Sequence, residues 1–407
     1  MDHIQIELLY KPPEEFAEPE IPEPSKITIP LSNAVNYLTP EVLSKNHPNL
    51  DLQKLYGFNA YVEANMLQTL IIAEFDYFSI FRYRNSSPKL NHIKVYNIRH
   101  FCRINGFEVG RIDIEYSTAM VIKSVVKDLY FAIEKNNKDD PYDRKYHQTL
   151  ELHDNSIDKI RVYAETKRIE IQKSQINSFE INYSCEDLHV WQSSDINRLF
   201  IMNHFSKFTI DDSNINILYA SSKTKINTFM MNSSRIESVP RFESDYIIEK
   251  NNDSYLLIKN SYKEQGQVAK YGDAAYEHES LRTKLERNIL LKSLYLFIKW
   301  TCGFGYKPFR TIFGSMATVC LFTVIYSFPK NISGDEYSLV KLDNSQIFFP
   351  NNFLFAFLFS IESFLGFSST QVKPASVLIS FATGCEAFLG LIFFSLLIYS
   401  LTKRFSE

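Results

Sequence analysis

The sequence predicts a multidomain membrane protein with an α+β N-terminal domain, a small β-solenoid, and two C-terminal membrane-spanning helices that flank a short re-entrant helix. Three observations lead to this prediction. Of 44 basic and 47 acidic residues in the 407-residue chain, only 12 lie in the last 98 positions. An isoleucine-based motif recurs in the middle of the chain, and two long apolar runs lie near its end. The net charge of −3 excludes a globally basic nucleic-acid binder.

The N-terminal part of the chain carries the least regular pattern. Residues 1–30 are predicted to be a flexible acidic leader, because positions 12–30 hold six prolines and five glutamates. Residues 31–150 mix helical and strand patterns, as in 66–73 and 112–130. This mixture predicts an α+β sensor domain.

One segment of the sensor domain is basic and aromatic. No acidic residue lies between Asp76 and Glu108, whereas six basic residues lie there among tyrosines and phenylalanines. Guanidinium groups pair with phosphates and aromatic rings stack on bases, so this mixture suits a nucleotide or short oligonucleotide. The alternatives are a solvated basic face or a patch that contacts the acidic leader. The six candidate anion-binding residues are Arg82, Arg84, Lys89, Lys94, Arg99 and Arg103.

A repeat runs through residues 151–245. An Ile-x-x-apolar motif recurs at spacings of 19, 20, 19 and 21 residues, and a half-step copy begins at Ile226. Alternation at a fixed period is typical of short strands that stack coil on coil and share a core. The segment therefore predicts a small β-solenoid, similar to a pentapeptide-repeat or related right-handed helix, with an antiparallel sandwich as the alternative. The motifs begin at Ile157, Ile176, Ile196, Ile215 and Ile236.

The C-terminal quarter contains two candidate spans. Residues 311–329 are uncharged, and residues 375–402 are interrupted only by Glu386. Each run is close to the length that crosses a hydrocarbon core of about 30 Å. Residues 246–308 are predicted to form an amphipathic helical linker, rich in Lys and Arg, before a pore module over 309–407. By the positive-inside rule both chain ends face the cytoplasm. The alternative is two buried core helices of a soluble domain.

Between the spans lies an apolar run that is too short to cross. Residues 353–361 are apolar, and Pro350, Asn351 and Asn352 precede them as a helix start signal. This predicts a re-entrant pore helix over 351–363, because irregular backbone at membrane depth must be surrounded by protein or a wet cavity. A plain interfacial hairpin is the alternative.

Several short motifs in this part of the chain resemble those of two-transmembrane bacterial ion channels, the pore modules found behind pentapeptide-repeat domains. These motifs are CGFGYKPFR at 302–310, the segments at 255–266 and 274–277 that are similar to their amphipathic linker, and Glu386 with Gly390 as an E-x-x-x-G pair. The resemblance implies a filter at Ser363, Phe364, Leu365, Gly366, Phe367 and Ser368, where potassium channels carry T-x-G-Y-G. Phe364 and Ser368 replace the threonine and the second glycine, so poor discrimination among monovalent cations is expected.

Two carboxylates and three inner-helix residues complete the candidate pore. Glu362 is predicted to form a ring of negative charge near the filter, and Glu386 to line the cavity or brace the pore helix through Ser363; a structural hydrogen bond is the alternative for each. Gly390 permits bending or close packing, and a ring of Phe394 or Ile398 is predicted to block ions by dewetting.

The expected function is a gated, poorly selective ion channel of the bacterial inner membrane, built as a homotetramer because one copy cannot enclose a pathway. By analogy with sensor-and-pore effectors, a depolarising role in antiviral defence is expected. The alternative is a membrane-anchored scaffold that recruits a partner through its solenoid. The sequence contains no P-loop, dinucleotide-binding, zinc-protease or serine-hydrolase motif, so no enzyme activity, catalytic residue, metal or cofactor is predicted.

Overall fold

The computed structural model divides the chain into two compact units, Met1–Gln265 and Gly266–Glu407. The residues that the structure describes are 3–10, 26–30, 35–46, 48, 55–63, 66–75, 77–82, 89–96, 98, 101–115, 117–132, 148–240, 242–327, 339–341, 351–367 and 372–406.

The first unit is a β-solenoid of about eight turns. After the first two strands, which lie in the same sheet, successive strands alternate between two sheets, so each coil contributes one strand to each. Within the described residues, sheet A has 12 strands: β1 (His3–Tyr10), β2 (Lys26–Pro30), β4 (Leu55–Glu63), β6 (Tyr77–Arg82), β8 (Phe101–Asn105), β10 (Ala119–Ile122), β12 (Thr149–His153), β14 (Thr166–Gln172), β16 (Cys185–Trp191), β18 (His204–Asp211), β20 (Lys225–Asn232) and β22 (Ile247–Glu249). Sheet B has 10: β3 (Val35–Leu38), β5 (Met66–Ala73), β7 (Lys89–Tyr96), β9 (Glu108–Glu115), β11 (Val125–Ala132), β13 (Ser156–Tyr163), β15 (Gln175–Ile181), β17 (Asp195–Ile201), β19 (Asn214–Ala220) and β21 (Arg235–Ser238).

The isoleucine repeat is confirmed as the period of the coil. Ile157 lies opposite Ile176, which in turn lies opposite Ile196 in the next parallel strand. All three side chains are buried, so each coil covers the apolar face of its neighbour. The half-step copy at Ile226 belongs to β20 of sheet A, which explains its offset. Because these strands pair in parallel, the alternative of an antiparallel sandwich is wrong.

A buried polar ladder runs along one corner of the solenoid. The Ser174 N–H donates to Ser194 Oγ at 3.3 Å, and the Ser194 N–H donates to Ser213 Oγ at 3.2 Å. Asn155 and Ser124 continue the ladder toward the N-terminus. The residue before each ladder position has a positive φ, between 46° and 60°, which turns the chain between sheets. Each corner thus satisfies a backbone N–H that would otherwise be buried without a partner.

The prediction of an α+β domain over residues 31–150 is wrong. Among the described residues of this range, the only helix is α1 (Pro40–Asn46), and the remaining elements are solenoid strands that extend the 151–245 repeat toward the N-terminus. The error has a physical cause. In β11 and β13 the pairing leaves out one residue, Lys127 and Asp158, so buried Val126 and Leu129 are three positions apart, as Ile157 and Ile160 are. This spacing is also that of one helix face.

The acidic leader is partly structured. Strands β1 and β2 lie within residues 1–30 and pair antiparallel with each other, and β1 also pairs antiparallel with β4. Ile4 and Ile6 alternate along β1 and are buried. The pair covers the edge of the parallel part of sheet A, which limits edge-to-edge association there. The prolines and glutamates of 11–25 lie outside the described residues.

Helix α2 (Asn252–Glu264) covers the other end of the solenoid. Leu257 and Ile258 are buried, the Asp253 carboxylate accepts from the Met231 N–H at 3.0 Å, and the Glu264 carboxylate accepts from the Val239 N–H at 2.8 Å. The first part of the predicted 246–308 linker is therefore a solenoid cap, because its carboxylates and apolar face complete the last coil.

The second unit is helical. Two of its helices, α5 and α7, are long and apolar enough to cross a membrane, with mean hydropathy of 1.5 and 2.0, and a short apolar helix lies at 353–364 between them. Their positions match the predicted spans and pore helix. The elements of this unit are α3 (Val268–Leu285), α4 (Ile289–Cys302), α5 (Pro308–Ser327), β23 (Leu339–Lys341), α6 (Asn351–Phe364), β24 (Val372–Pro374) and α7 (Val377–Ser406).

Helix α6 packs against both long helices. Phe322 and Tyr326 of α5, Phe359 of α6 and Ile379 of α7 belong to one buried cluster. The antiparallel pair β23–β24 adds Leu339 and Val372 to this cluster at the same end of the helices.

Replacing Ser194 by alanine should destabilise the solenoid. The substitution leaves the buried Ser174 N–H without its acceptor, at a cost of about 1–3 kcal/mol. Denaturant unfolding of the full-length protein in detergent, followed by circular dichroism, measures this loss. Ser156→Ala is the control, because Ser156 is an exposed serine of the same repeat. Equal midpoints for the two variants would contradict a structural role for the ladder.

Candidate functional site

The candidate site lies where α5, α6 and α7 meet around Glu386. This carboxyl group is buried, and the Tyr326 hydroxyl of α5 donates to its Oε2 at 2.7 Å. The Ser360 hydroxyl of α6 hydrogen-bonds to Oε1 and also lies 3.0 Å from the Val319 carbonyl of α5. One side chain of α7 therefore connects both other helices.

This network corrects the predicted partner of Glu386. The expected bracing runs through Ser360, one helical turn before Ser363, because that turn of α6 faces α7 at this level. Ser363 is buried on the same face. A buried carboxyl group without partners is costly, and the hydrogen bonds of Glu386 to two hydroxyl groups reduce that cost.

Gly390 brings the end of α6 against α7. A Cβ atom at position 390 would overlap the carbonyl oxygen of Phe364, which is backbone and cannot rotate away. Gly314 of α5 has a similar role, since a Cβ there would lie 2.9 Å from the Phe393 ring of α7. In this structure both residues of the E-x-x-x-G pair therefore contact α6. Glu386 hydrogen-bonds to Ser360, and the absence of a side chain at Gly390 lets the carbonyl of Phe364 pack against α7.

The predicted filter segment ends a helix. Glu362, Ser363 and Phe364 are the last residues of α6, and Gly366 follows with φ of +76°. The Gly366 N–H donates to the Ser363 carbonyl at 3.0 Å, and the Phe367 N–H donates to the Glu362 carbonyl at 2.8 Å. This is the Schellman end of a helix, in which glycine takes the left-handed position. These carbonyls therefore close the helix in this structure. Ser368 lies outside the described residues.

The filter segment and the inner helix share a cavity. It has a volume of about 480 Å³ and lies between α5, α7 and the turn after α6. Its wall brings together most of the predicted pore residues, namely Phe364, Leu365, Gly366, Phe367, Gly390 and Phe394. Glu362 is half-buried on α6, and Ile398 is 51% exposed one turn beyond Phe394.

The six basic residues of the N-terminal segment are not one patch. Arg82 and Arg103 lie on β6 and β8 of sheet A, whereas Lys89 and Lys94 lie on β7 of sheet B. The two lysines pair with Glu108 and Glu115 of β9 at 3.1 and 3.2 Å. The segment itself contains no acidic residue, and its lysines find their acidic partners on the strand of the next coil. Arg84 and Arg99 lie outside the described residues.

The aromatic residues of this segment stack on one another. The Tyr61 and Phe81 rings are stacked at 5.5 Å between centres, and the Arg103 guanidinium lies 5.7 Å from the Phe81 ring centre. Tyr77 and Phe101 are stacked in the same way. Each ring therefore meets the equivalent ring of the adjacent coil, as cross-strand neighbours in a sheet do.

A long polar groove follows sheet B of the solenoid. It has a volume of about 940 Å³. Along its floor the Asn177 amide donates to Asp158 at 2.8 Å, the Asn197 amide donates to Asn177 at 2.8 Å, and the Asn216 amide donates to Asn197 at 3.2 Å. The sequence repeat contains this recurring Asn, but the pattern alone does not predict that the asparagines hydrogen-bond to one another along the surface. Asn177 and Asn216 are exposed, so the amide groups that the ladder does not use are open to solvent.

Several cysteine and histidine side chains of the solenoid are buried or paired with a carboxylate. Burial raises the pKa of the Cys185 thiol to about 12, and burial also raises the pKa of the Cys102 thiol, so both stay protonated at neutral pH. The Glu151 carboxylate, 3.6 Å from Nε2, raises the pKa of His153. His92 and His189 pair with Asp113 and Asp211, each at 2.8 Å.

Comparison of the chain with protein-family models, with curated proteins and with solved structures found no match.

Replacing Gly390 by alanine should destabilise the helical unit by about 1–3 kcal/mol, because α6 must move away from α7. Thermal unfolding of the full-length protein in detergent measures the effect. Gly384→Ala is the matched control on the same helix: its Cβ meets nothing within 4 Å, and alanine favours a helix by about 1 kcal/mol. A Gly390→Ala midpoint equal to that of Gly384→Ala would contradict the close-packing role.

Proposed function

We propose that the protein is a gated ion channel whose helical unit forms the pore and whose solenoid controls it. The carrying observation is the arrangement of α6. It is too short to cross a membrane, yet it is held between two helices that are long enough, by the Tyr326–Glu386–Ser360 network and the Gly390 contact. A half-length helix packed against two spans is suited to line a pore, since its end can stop at membrane depth only where protein or water surrounds it.

The proposed assembly is a homotetramer in the bacterial inner membrane, with both termini in the cytoplasm. One copy provides two spans and one half-helix, and only a ring of copies can enclose a pathway. Large apolar side chains remain exposed on both spans, including Phe313, Leu321, Phe381 and Phe388, and are available to lipid and to neighbouring copies.

The proposed conduction is weakly selective among monovalent cations. In the described segment the carbonyls of Glu362 and Ser363 accept hydrogen bonds from the helix end, so they are not free to replace the hydration shell of an ion. A ring of Glu362 carboxylates, one from each copy, would favour cations over anions. Such a pore would depolarise the cell when open, and a role as an antiviral effector is proposed on that basis alone.

Control by the solenoid is the remaining part of this proposal. Arg82 and Arg103, on adjacent strands of sheet A, are the candidate contacts for an anionic ligand such as a nucleotide or short oligonucleotide. A ligand shifts the gate only by its differential affinity for the closed and open states.

A second candidate function is a non-conducting scaffold anchored by α5 and α7. The polar groove favours it, because the amide ladder offers a regular array of donors and acceptors to an extended partner. Currents across a planar bilayer containing the purified protein separate the two candidates, since a scaffold gives none. Light scattering in mild detergent tests the assembly, and a monomer or dimer would contradict the tetramer.

Replacing Phe394 by serine should produce current without stimulation. Phe394 lines the apolar cavity beside the filter segment, and a hydroxyl group there would favour water over the dry, closed state. Ile398→Ser has the same expected effect one turn further along α7. Planar-bilayer recording is the measurement. Phe388→Ser is the matched control, because Phe388 lies on the same helix and is about as exposed as Phe394 (64% and 58%), but it belongs neither to the cavity wall nor to the predicted gate.

If Phe394→Ser and Ile398→Ser both stay silent while the wild type conducts on stimulation, the hydrophobic gate is wrong. If Phe388→Ser leaks as much as Phe394→Ser, the current reports loosened packing of α7 rather than the gate.

A further inference from the structure

The segment Cys302–Arg310 leads into the first turn of α5 and contacts the end of α7. Residues 303–305 form a tight turn in which Gly303, Phe304 and Gly305 all have positive φ. A Cβ at position 305 would lie 2.9 Å from the Tyr399 ring of α7, so glycine is needed for this approach. The Ser400 hydroxyl donates to the Gly305 carbonyl at 3.0 Å, which fixes the end of α7 on the turn.

This contact gathers three cations from two helices and the turn. The Lys307 ammonium lies 4.2 Å from the Tyr276 ring centre, and the Arg310 guanidinium lies 5.1 Å from the same centre. The Lys403 ammonium lies 4.3 Å from the Tyr306 ring centre and donates to the Phe304 carbonyl at 3.1 Å. Arg310 also donates to the Tyr276 hydroxyl at 3.1 Å. Aromatic faces and neutral oxygens thus hold the three cations in place.

The three cations line a cavity of about 350 Å³. Its other walls are Tyr271, Tyr306 and the start of α3. The only acidic residue in the described lining is Asp273, whose carboxylate is 79% exposed and lies 3.7 Å from the Lys307 ammonium. Among the lining residues, three positive charges face one exposed negative charge, so the cavity attracts anions; Glu279, outside the lining, also interacts with Lys403.

Apolar surface begins directly beside this charge. Phe309 also lines the cavity and is 66% exposed, and Phe313, one turn along α5, is 69% exposed. The cavity therefore combines a cationic end with an apolar edge at the first turn of a membrane-length helix. A soluble phosphate compound would use only the cationic end, whereas a phospholipid matches both, with its phosphate at the cations and its acyl chains along α5.

We infer that this cavity binds the phosphate headgroup of an anionic phospholipid, with Lys307, Arg310 and Lys403 as its cationic contacts. The inference rests on the membrane placement within the proposed function, but it does not require conduction. Because Lys403 ends one span and Lys307 precedes the other, a bound headgroup would hold the two spans together at this end.

Lipid binding to the full-length protein in an uncharged detergent tests the inference, with native mass spectrometry as the readout. The probes are dioctanoyl phosphatidylglycerol, dioctanoyl phosphatidylcholine and inorganic phosphate. We expect phosphatidylglycerol to bind about tenfold more tightly than either of the others, because it alone combines net negative charge with acyl chains.

Two variants give opposite expected shifts. The double variant Lys307→Gln/Lys403→Gln should weaken phosphatidylglycerol binding about tenfold, because two charge-assisted contacts are lost. Asp273→Asn should strengthen it about threefold, because the one negative charge is removed. A gain of affinity cannot arise from misfolding. The matched control is Lys284→Gln/Lys292→Gln, which removes two basic charges from α3 and α4 outside the cavity and should change binding less than twofold.

Equal weakening in the pocket and control variants would overturn the site, because binding would then follow total charge. Binding of inorganic phosphate as tight as that of phosphatidylglycerol would overturn the lipid assignment, and equal binding of phosphatidylcholine would overturn the role of charge. Lipid binding with no current in planar bilayers would leave this inference standing and contradict the channel, so the two failures are distinguishable.

Discussion

Each coil of the solenoid must satisfy the backbone hydrogen bonds of the coil beside it, and the rest of the first unit follows from this constraint. The strands do so in two parallel sheets, and the Ser124, Asn155, Ser174, Ser194 and Ser213 ladder does so at the corner where the strands stop. Both ends then need covers, because an open parallel edge offers unpaired groups to other chains. The antiparallel β1–β2 pair covers one end, and α2 with its carboxylates covers the other.

The same stacking decides how the surface of the solenoid is charged. Residues about one period apart in sequence become cross-strand neighbours, so Lys89 pairs with Glu108 and Lys159 pairs with Glu180. Phe81 likewise meets Tyr61 on one side and Arg103 on the other. The lysines of the basic run, Lys89 and Lys94, therefore meet acidic partners from the next coil, although no acidic residue lies near them along the chain. A solenoid binding surface is best sought along the rows that cross the coils, such as the amide ladder of the groove.

In the helical unit, polar contacts and glycines decide how closely the helices pack. Glu386 connects α7 to Tyr326 and Ser360, Gly390 admits the end of α6, and Gly305 admits the end of α7 at the tight turn. These contacts lie at different levels of the same helices. Helix α7 lines both the cavity beside the filter segment, through Phe394, and the cationic cavity, through Lys403. Movement of α7 would therefore change both cavities together and would link the proposed gate to the inferred lipid site.

The sequence by itself determined the coil period, the two apolar helices and the short helix between them, because each follows from the spacing of apolar residues along the chain. Ile157, Ile176 and Ile196 predicted the stacking of the coils. The uncharged run 311–329 predicted α5, and the run 375–402, interrupted only by Glu386, predicted α7. Only the tertiary structure decided that the described strands between 35 and 132 belong to the solenoid, since buried residues three positions apart also have the spacing of a helix face. It also decided that Glu386 bonds Ser360, and that Lys307, Arg310 and Lys403 share one cavity. Such contacts join residues far apart in the chain, and no local pattern encodes them.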